Sequence, residues 1–368
     1  MKKPARVGRA AAAAGGCIRH GDVSGWTKRL NSRFWPRQTF LIFAFGLLVL
    51  TDGASAADRR GFSTVPLDAT DVVFDPSEPQ RSHFGKLRYR GGLTLSSENS
   101  RFGGFSALGL DATGERLLAI SDRSDVLEVG LVYDDNRLVG VREPRMGPLV
   151  RSNGKKMRGK YRSDAEALAF GSDGRLWVSF EHRHRIEVRD FGKRGLKARP
   201  RQLPMPPPFD KLPENAGVEA MVRFGPGSGQ EGVLLLFAET EDPDGTVPGL
   251  IVNGENISGF RLDSRGGYDV TDMAILPGGD VVVLERRLGN LIDFSIRLRR
   301  IDGGSIKPGA TLDGEILFKG GLSFAIDNFE GLAVHVTAAG ETRLTLISDD
   351  NFSPIQQTLL LQFAIVDE

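Results

Sequence analysis

Short, mainly apolar runs separated by turn residues follow one another along most of this chain. Val281–Leu284, Leu234–Phe237 and Leu344–Ile347 are each four residues long, and Gly, Asp or Pro residues lie close to their ends. Runs of this length between turn residues are typical of buried β-strands. No segment shows the sustained 3.6-residue apolar stripe of an amphipathic helix, so the pattern predicts an all-β protein.

One longer pattern recurs five times from Gly104 onward. It consists of a short strand with small and acidic residues, a turn containing Gly, and a strongly apolar strand that ends in an acidic residue. The copies begin at residues 104, 164, 217, 269 and 328, so successive starts are 60, 53, 52 and 59 residues apart. Repeats of about 50 residues built from short strands are typical of β-propeller blades.

Each copy leaves room for two further strands, which predicts a single β-propeller of five or six four-stranded blades. The last copy is followed by one further candidate strand, whereas Lys86–Leu95 precedes the first copy and has no blade of its own. We predict that this N-terminal strand completes the last blade and closes the ring, because an open edge strand invites aggregation. A sixth blade stays open as an alternative, in residues 62–103 or 125–163.

Residues 1–57 have the pattern of a signal peptide with an extended N-terminal region. A basic stretch within residues 28–37 is followed by the apolar run Phe40–Leu50 and by Ala54-Ser55-Ala56, which resembles a cleavage site. The apolar run is shorter than the roughly 20 residues that span a bilayer, although an uncleaved anchor is the alternative. We therefore expect a periplasmic or secreted protein without a membrane span after cleavage, with a linker over residues 58–83 and a propeller domain over residues 84–368.

Charge and cysteine usage narrow the function classes. The whole chain has a formal net charge of +1, but residues 1–57 hold nine Lys/Arg and two Asp/Glu, so the remainder has a net charge of −6. A mildly acidic body argues against nucleic-acid binding, which favours a basic face. The single cysteine, Cys17, lies in the export region, so we expect no disulfide, thiol nucleophile or cysteine-based metal site in the exported chain.

Alignment of the five copies stacks acidic residues at two positions. The first-strand position holds Ser106, Glu166, Glu219, Asp272 and Glu330, and the end of the second strand holds Asp122, Glu181, Glu239, Glu285 and Asp349. Because the first strand of a blade lines the propeller channel, we expect these residues to form a ring. Carboxylates crowded beside apolar strands are costly unless they are paired or bound to a cation.

Calcium is the cation that this ring favours, because its ligands are oxygens and no cysteine is available. The predicted metal ligands are Glu166, Glu219, Asp272, Glu330, Glu285 and Asp350. Glu181, His182 and Asp349 are the predicted catalytic residues, which would position water or transfer a proton. Arg123, Arg183 and Arg286, each beside one of the aligned acids, are predicted to bind an anionic substrate group. The alternative is that the repeated acids only form ion pairs or accept backbone N–H bonds.

Three segments resemble the bacterial family named for the esterase-like activity of phytase. They are GFSALGLD…LLAISDRS in residues 104–124, DAEALAF…GRLWVSFE in residues 164–181 and NFEGLAVH…LISDDNFS in residues 328–353. The resemblance covers about residues 84–366 and implies a β-propeller, export, and phosphoesterase or esterase activity. Its motifs include Glu166, Glu181, Glu330, Asp349, Asp350 and Asn351. Propeller phytases proper hold calcium with channel carboxylates, but their Asp-Asp-Pro-Ala segment does not occur in this chain.

Taken together, these features predict an exported metal-dependent hydrolase that acts on a small anionic phosphoester or other ester at the channel mouth. The alternative is a non-catalytic propeller of the cell envelope that binds a ligand or a partner. A sugar-lactone hydrolase of the calcium-propeller type would share the metal site and differ in its substrate. Fold alone does not choose among these functions.

Overall fold

Five small sheets follow one another along the chain, each built around one copy of the repeat. The computed structural model describes residues 60–157, 159–239, 241–264, 266–289 and 294–366. The predicted signal peptide and Cys17 lie outside the described residues. We number the sheets as blades 1 to 5 in the order in which their inner strands occur.

Blades 1 and 2 occupy the first half of the described chain. From the inner to the outer edge, blade 1 contains Phe105–Leu110, Arg116–Ser121, Asp125–Asp134, Arg137–Pro148 and Ser63–Thr64. Blade 2 contains Ala165–Phe170, Leu176–Phe180, Arg185–Arg189 and Arg201–Leu203. Within each blade, all of these neighbouring strands are antiparallel.

Blades 3 to 5 repeat this arrangement. Blade 3 contains Val218–Arg223, Leu234–Ala238, Thr246–Asn253, Asn256–Asp263 and, in a parallel pairing at its edge, Thr311–Leu312. Blade 4 contains Asp269–Ile275, Val281–Leu288, Phe294–Ile301 and Glu315–Gly321. Blade 5 contains Phe329–Val336, Thr342–Ser348, Thr358–Ile365, Leu87–Ser96 and Asp68–Asp71, with His83–Phe84 paired to Leu87–Ser96. The predicted all-β fold is confirmed.

Helix is confined to short connections in the described part of the chain. These are the four-residue helices Lys160–Ser163 and Phe191–Arg194 and the 3-10 turns Gly195–Lys197, Phe209–Lys211 and Gly303–Ser305. None of these helices has the length and apolar character needed to cross a bilayer.

The inner strands form a closed circuit. Each inner strand contacts that of the next blade, and the inner strand of blade 5 contacts that of blade 1. Five apolar clusters lie between successive blades, one at each interface. Between blades 1 and 2, for example, Leu118 and Ile120 share a cluster with Leu168 and Val178. A buried Leu, Ile or Val contributes about 1.5–3 kcal/mol, so these interfaces hold the five-bladed ring together.

Blade 5 contains strands from both ends of the described chain. Leu87–Ser96 pairs with Thr358–Ile365, in a register that places Leu95 opposite Thr358 and Leu87 opposite Ile365. Two short strands upstream also join the propeller sheets. Ser63–Thr64 forms the outer edge of blade 1, and Asp68–Asp71 forms the outer edge of blade 5. That an N-terminal strand is what closes the ring stays a prediction.

Candidate functional site

A β-bulge recurs at the same point of every inner strand and sets the geometry of the channel mouth. There the register against the second strand shifts by one residue. The extra residues in blades 1 to 5 are Ser106, Glu166, Glu219, Thr271 and Glu330. A bulge breaks the strict alternation of a strand and redirects one side chain, so these five residues occupy equivalent positions around the ring.

A second set of equivalent residues follows the paired part of each second strand. Its members in blades 1 to 5 are Asp122, Glu181, Glu239, Arg286 and Asp349. In four blades the backbone N–H of this residue donates to the carbonyl that precedes the inner strand, on Gly104, Asp164, Gly217 and Asn328. In blade 4, Arg286 lies opposite Asp269. The two sets therefore contain seven carboxylates, which we call the acidic ring.

Blade 4 corrects the alignment that the sequence suggested. Its bulge falls on Thr271 rather than on Asp272, and the residue equivalent to Glu181 and Asp349 is Arg286 rather than Glu285. The sequence alignment of this blade was wrong by one residue at both positions. An arginine therefore stands where the other four blades carry an acid.

Asp272 and Glu285 lie in the protein interior, away from the acidic ring. The two carboxylate oxygens of Asp272, which is 3% exposed, accept backbone N–H bonds from Met273 at 2.8 Å and Leu332 at 2.6 Å. Glu285 is fully buried and accepts hydrogen bonds from the guanidinium groups of Arg297 and Arg299. Both acids thus follow the alternative interpretation, in which they satisfy backbone or arginine donors.

Burial and neighbouring carboxylates raise the pKa values of several residues of the acidic ring. Burial first, and then neighbouring carboxylates, raise the pKa of Asp122 to about 6, of Glu181 to about 7 and of Asp349 to about 8. The same causes raise the pKa of Glu166 and Glu219 well above the usual range. Such shifts arise when several carboxylates share one poorly hydrated space, and a bound cation would reverse them.

Glu181, Glu219 and Glu239 form the most compact group of acids. One oxygen from each residue lies within 4.8 Å of the others. Oxygens that bind one Ca²⁺ at about 2.4 Å can lie no more than about 4.8 Å apart. This donor set, three carboxylates from blades 2 and 3, therefore fits a divalent hard cation. Oxygen Oδ1 of Asp122 is also buried without a hydrogen-bond partner among the described residues, as expected for a group that lacks its counter-charge.

His182 joins the acidic ring to Asp164. Its Nε2 atom lies 3.0 Å from Oδ2 of Asp164 and 3.7 Å from a carboxylate oxygen of Glu181. Its backbone φ is +52°, and its ring stacks on Tyr161 with the centroids 6.3 Å apart. The unusual backbone and the aromatic contact fix the imidazole beside two carboxylates. Asp164, Glu181 and His182 also satisfy the distance criterion for a cation site.

Arg286 and Asp350 are already engaged by protein groups. Nη1 of Arg286 donates to Oε1 of Glu330 at 2.5 Å and to the side chain of Asn328. Asp350, a predicted metal ligand, accepts backbone N–H bonds from Gly104 at 2.9 Å and Phe352 at 3.0 Å, so it fixes the loop between blades 5 and 1.

Arg123 and Arg183 are exposed at the mouth, on different blades. The guanidinium of Arg123 lies over the ring of Phe352, with its carbon 3.2 Å from the ring centroid. Arg183 lines a cleft of about 320 Å³ with Arg151, Arg162 and Arg185, which we call the arginine cleft. Arg185 donates to the carbonyl oxygens of Arg183 at 3.1 Å and Arg162 at 2.7 Å, and so holds these two residues together.

Comparison with known families decides the assignment. The model of the phytase-like family, described as the esterase-like activity of phytase, matches residues 100–352. The chain belongs to this phytase-like family. The matched region of the phytase-like propeller begins before the inner strand of blade 1 and ends after the second strand of blade 5, so it includes all seven members of the acidic ring.

Similarity to individual known proteins carries no argument about this chain. No curated protein matches the phytase-like chain. Among solved structures, a protein of unknown function from Dyadobacter fermentans is 11% identical, with a TM-score of 0.43 over 83% of this chain and 95% of that one. A beta-propeller domain of Cps50 (Swd1) from Myceliophteria thermophila is also 11% identical, with a TM-score of 0.36 over 83% and 100%. These similarities are too weak to bear on function.

Sequence reasoning missed part of the site. Asp122, Asp164 and Glu239 were not among the predicted site residues, although they stand in or beside the aligned repeats. The structure brings them together with the predicted residues Glu166, Glu181, His182, Glu219, Glu330 and Asp349. Glu239 already stood at the aligned position at the end of the second strand, so the repeat alignment contained the signal that could have identified it.

Proposed function

We propose that the phytase-like propeller is a metal-dependent hydrolase of an ester, with Ca²⁺ as its metal ion. The observation that carries this proposal is the group Glu181, Glu219 and Glu239 in the acidic ring. These carboxylates are half-buried, have raised pKa values because of burial, and place one oxygen each within the distance that a divalent ion can bridge. Membership of the phytase-like family supports a hydrolase-type propeller. A buried acid cluster without a cation is costly, so its retention in a folded protein favours metal binding over a purely structural role.

Glu181, Glu219 and Glu239 are the residues that would hold the ion. When bound, Ca²⁺ supplies a Lewis acid that stabilises negative charge developing on the substrate oxygen. Glu166 on blade 2 and Glu330 on blade 5 interact electrostatically with this group and add negative potential that favours a cation. Glu330 is partly neutralised by Arg286, so the centre of negative charge lies toward blades 2 and 3.

His182 is the residue that would transfer the proton. Its Nε2 atom lies 3.0 Å from Oδ2 of Asp164, which would hold the imidazole in one orientation. Lys160 Nζ lies 3.8 Å from Asp164 and adds a positive charge at this side of the mouth. Arg123 and the arginine cleft would bind the anionic group of the substrate, because a guanidinium forms two parallel hydrogen bonds to a carboxylate or phosphate.

Hydrolysis measured with and without a chelator tests this function. We expect the purified protein to hydrolyse p-nitrophenyl phosphate or p-nitrophenyl acetate in Ca²⁺, to lose this activity in EGTA and to regain it when Ca²⁺ is restored. The Glu181→Gln and Glu239→Gln variants should lose both activity and Ca²⁺ binding. Activity that survives chelation would remove the metal from the mechanism, and folded protein without activity on either ester would remove the hydrolase.

A second candidate function is anion binding without catalysis. The arginine cleft supports it, because the cleft brings Arg151, Arg162 and Arg183 together with the buried Arg185–Glu187 ion pair. Like charges that converge on one cleft favour a bound anion. Calorimetric titration with phosphate separates the two functions. Binding that survives in Glu181→Gln, together with no turnover in the unmodified protein, would favour this candidate.

We also propose that the protein is exported to the periplasm or secreted. The support is the basic, apolar and small-residue pattern within residues 28–56. Extracellular modules typically use calcium sites with affinities near 10⁻⁴–10⁻³ M, which suits a site assembled from residues of different blades. Fractionation of cells that express the full chain with a C-terminal tag tests this, and N-terminal sequencing of the exported product locates the cleavage site.

A further inference from the structure

A cavity that is lined in part by Glu330 of the acidic ring lies between blades 4 and 5. It has a volume of about 640 Å³, and its lining includes Arg286, Asn328 and Glu330. The cavity is therefore continuous with the acidic ring, on the side opposite to the compact group formed by Glu181, Glu219 and Glu239.

The outer wall of this cavity is apolar and exposed. Leu288, Leu322 and Ile355 line it and are 58%, 55% and 88% exposed, and Phe294 completes the wall. Single exposed aliphatic residues are ordinary on a protein surface, but three that surround one concavity next to a polar site are typical of a ligand pocket. We call the wall formed by these four residues the apolar wall.

The architecture of blade 4 brings the apolar wall to the mouth. In the other four blades the second strand ends one residue before the acidic-ring position, at Ser121, Phe180, Ala238 and Ser348. In blade 4 the second strand continues beyond Arg286 to Leu288, which pairs directly with Phe294 on the third strand. Both of these paired strands therefore continue past the acidic-ring position, and Leu322 follows the fourth strand at the same end of the blade.

The charges on this side of the mouth do not suit a phosphate group. Arg286 is the cation nearest the cavity floor, and its Nη1 atom is already bonded to Glu330 and Asn328. The polar remainder of the lining includes Asp327, an acid, and the amides Asn351 and Gln356. A phosphate would find no unpaired cation among these lining residues, whereas a hydrocarbon chain would bury itself against the apolar wall.

From these observations we propose that the cavity between blades 4 and 5 binds the hydrocarbon acyl chain of a carboxylic ester. This inference rests on the proposed hydrolase function and names its substrate class. The ester group would lie over the acidic ring, and the chain would extend along Leu288, Phe294, Leu322 and Ile355. A carboxylic ester with an apolar acyl chain is thus the substrate, in preference to a polyphosphorylated one.

A chain-length series measures the proposed subsite. With p-nitrophenyl acetate, butyrate and hexanoate, we expect kcat/KM to rise about three-fold for each methylene that contacts the apolar wall. The double variant Leu288→Ser/Leu322→Ser should reduce this rise to less than about 1.5-fold per methylene. The matched control Val73→Ser/Ile316→Ser removes two apolar side chains that are 49% and 42% exposed and lie outside the cavity, and it should keep the full rise.

A binding measurement keeps the test independent of turnover. In a Glu181→Gln background, the neutral fluorescent probe N-phenyl-1-naphthylamine should bind to the cavity, and the Leu288→Ser/Leu322→Ser variant should weaken this binding about ten-fold. Equal probe binding in all variants would overturn the subsite even if esters are hydrolysed. Probe binding that depends on the apolar wall, with no ester hydrolysed, would instead contradict the hydrolase function and leave an apolar ligand site. If kcat/KM does not change with acyl chain length although probe binding depends on the apolar wall, the proposal that the cavity binds the acyl chain is refuted.

Discussion

Arg286 on blade 4 donates to Glu330 on blade 5 across a distance of 2.5 Å, and both side chains are largely buried. This ion pair places a cation at a ring position where the other four blades have an acid. It therefore neutralises one side of the channel mouth and leaves the negative charge concentrated on the other side. The asymmetry separates a cation-binding region at blades 2 and 3 from the cavity between blades 4 and 5.

Replacement of Arg286 should destabilise the fold. Arg286→Met leaves Glu330 without its partner in a poorly hydrated position, and breaking a buried pair in this way costs about 3–5 kcal/mol. We expect the free energy of unfolding, measured with urea in the presence of a chelator, to fall by about 3 kcal/mol. Arg261→Met is the matched control, since Arg261 pairs with Asp242 at 2.6 Å on the surface and exposed pairs are worth about 1 kcal/mol or less. Equal losses in the two variants would contradict the role of Arg286.

Glu285 and Glu219 should respond oppositely to the same substitution. Glu285→Gln removes the charge that balances Arg297 and Arg299, so we expect a loss of about 3–5 kcal/mol of stability with unchanged Ca²⁺ affinity. Glu219→Gln removes one of several crowded acids. We therefore expect the free energy of unfolding in the presence of a chelator to stay the same or increase, while the Ca²⁺ affinity falls at least about ten-fold. Calorimetric titration and urea unfolding of both variants make the comparison. If Glu285→Gln weakens Ca²⁺ binding and leaves the stability unchanged, Glu285 is a metal ligand, as the sequence alignment suggested.

Without metal, the protein should become less stable as the pH rises. Burial raises the folded-state pKa values of Asp122, Glu181 and Asp349 to about 6, 7 and 8, whereas unfolded carboxyl groups titrate near about 4. Between pH 4 and pH 8 the folded state thus binds more protons than the unfolded state, and the free energy of unfolding decreases with pH. Urea unfolding in EGTA from pH 5 to pH 9 should show this decline, with Ca²⁺ restoring stability mainly above pH 7. In the triple variant Asp122→Asn/Glu181→Gln/Asp349→Asn, this decline in the free energy of unfolding should become smaller. An increase in the stability of the unmodified protein in EGTA over this pH range would contradict the shared burial of these acids.

His182 should affect turnover rather than substrate binding. Loss of a general acid or base typically lowers kcat about 10²–10⁴-fold, so His182→Asn should show this decrease with KM changed less than about three-fold. Asparagine tolerates the positive φ of this position, which limits the backbone cost. His184→Asn is the control, because His184 lies two residues away and its Nε2 atom contacts the carbonyl oxygens of Leu212 and Pro213 instead. Equal losses of kcat in both variants would assign His182 a structural role.

The repeat architecture could be predicted because its signals are local. Runs such as Leu234–Phe237 reveal strands through their composition, and the 52- to 60-residue spacing reveals blades through repetition. Each blade packs its apolar faces against the next blade in the same way. The same apolar pattern therefore recurs in every copy, and it can be recognised in the sequence although the contacts between blades are unknown. The prediction that acids repeat near the strand ends had the same origin.

The sequence by itself determined the all-β propeller architecture of five or six blades and the presence of repeated acids, and the structure decided on five blades. Only the tertiary structure decided which acids meet, because a β-bulge shifts the facing residue by one position and leaves no mark in composition. That shift directs Arg286 to the mouth and buries Glu285 between two arginines. The repeat alignment also did not show that Asp164 interacts with both Asp122 and Glu181, because Asp122 belongs to the neighbouring blade and this proximity arises from the packing of blades 1 and 2.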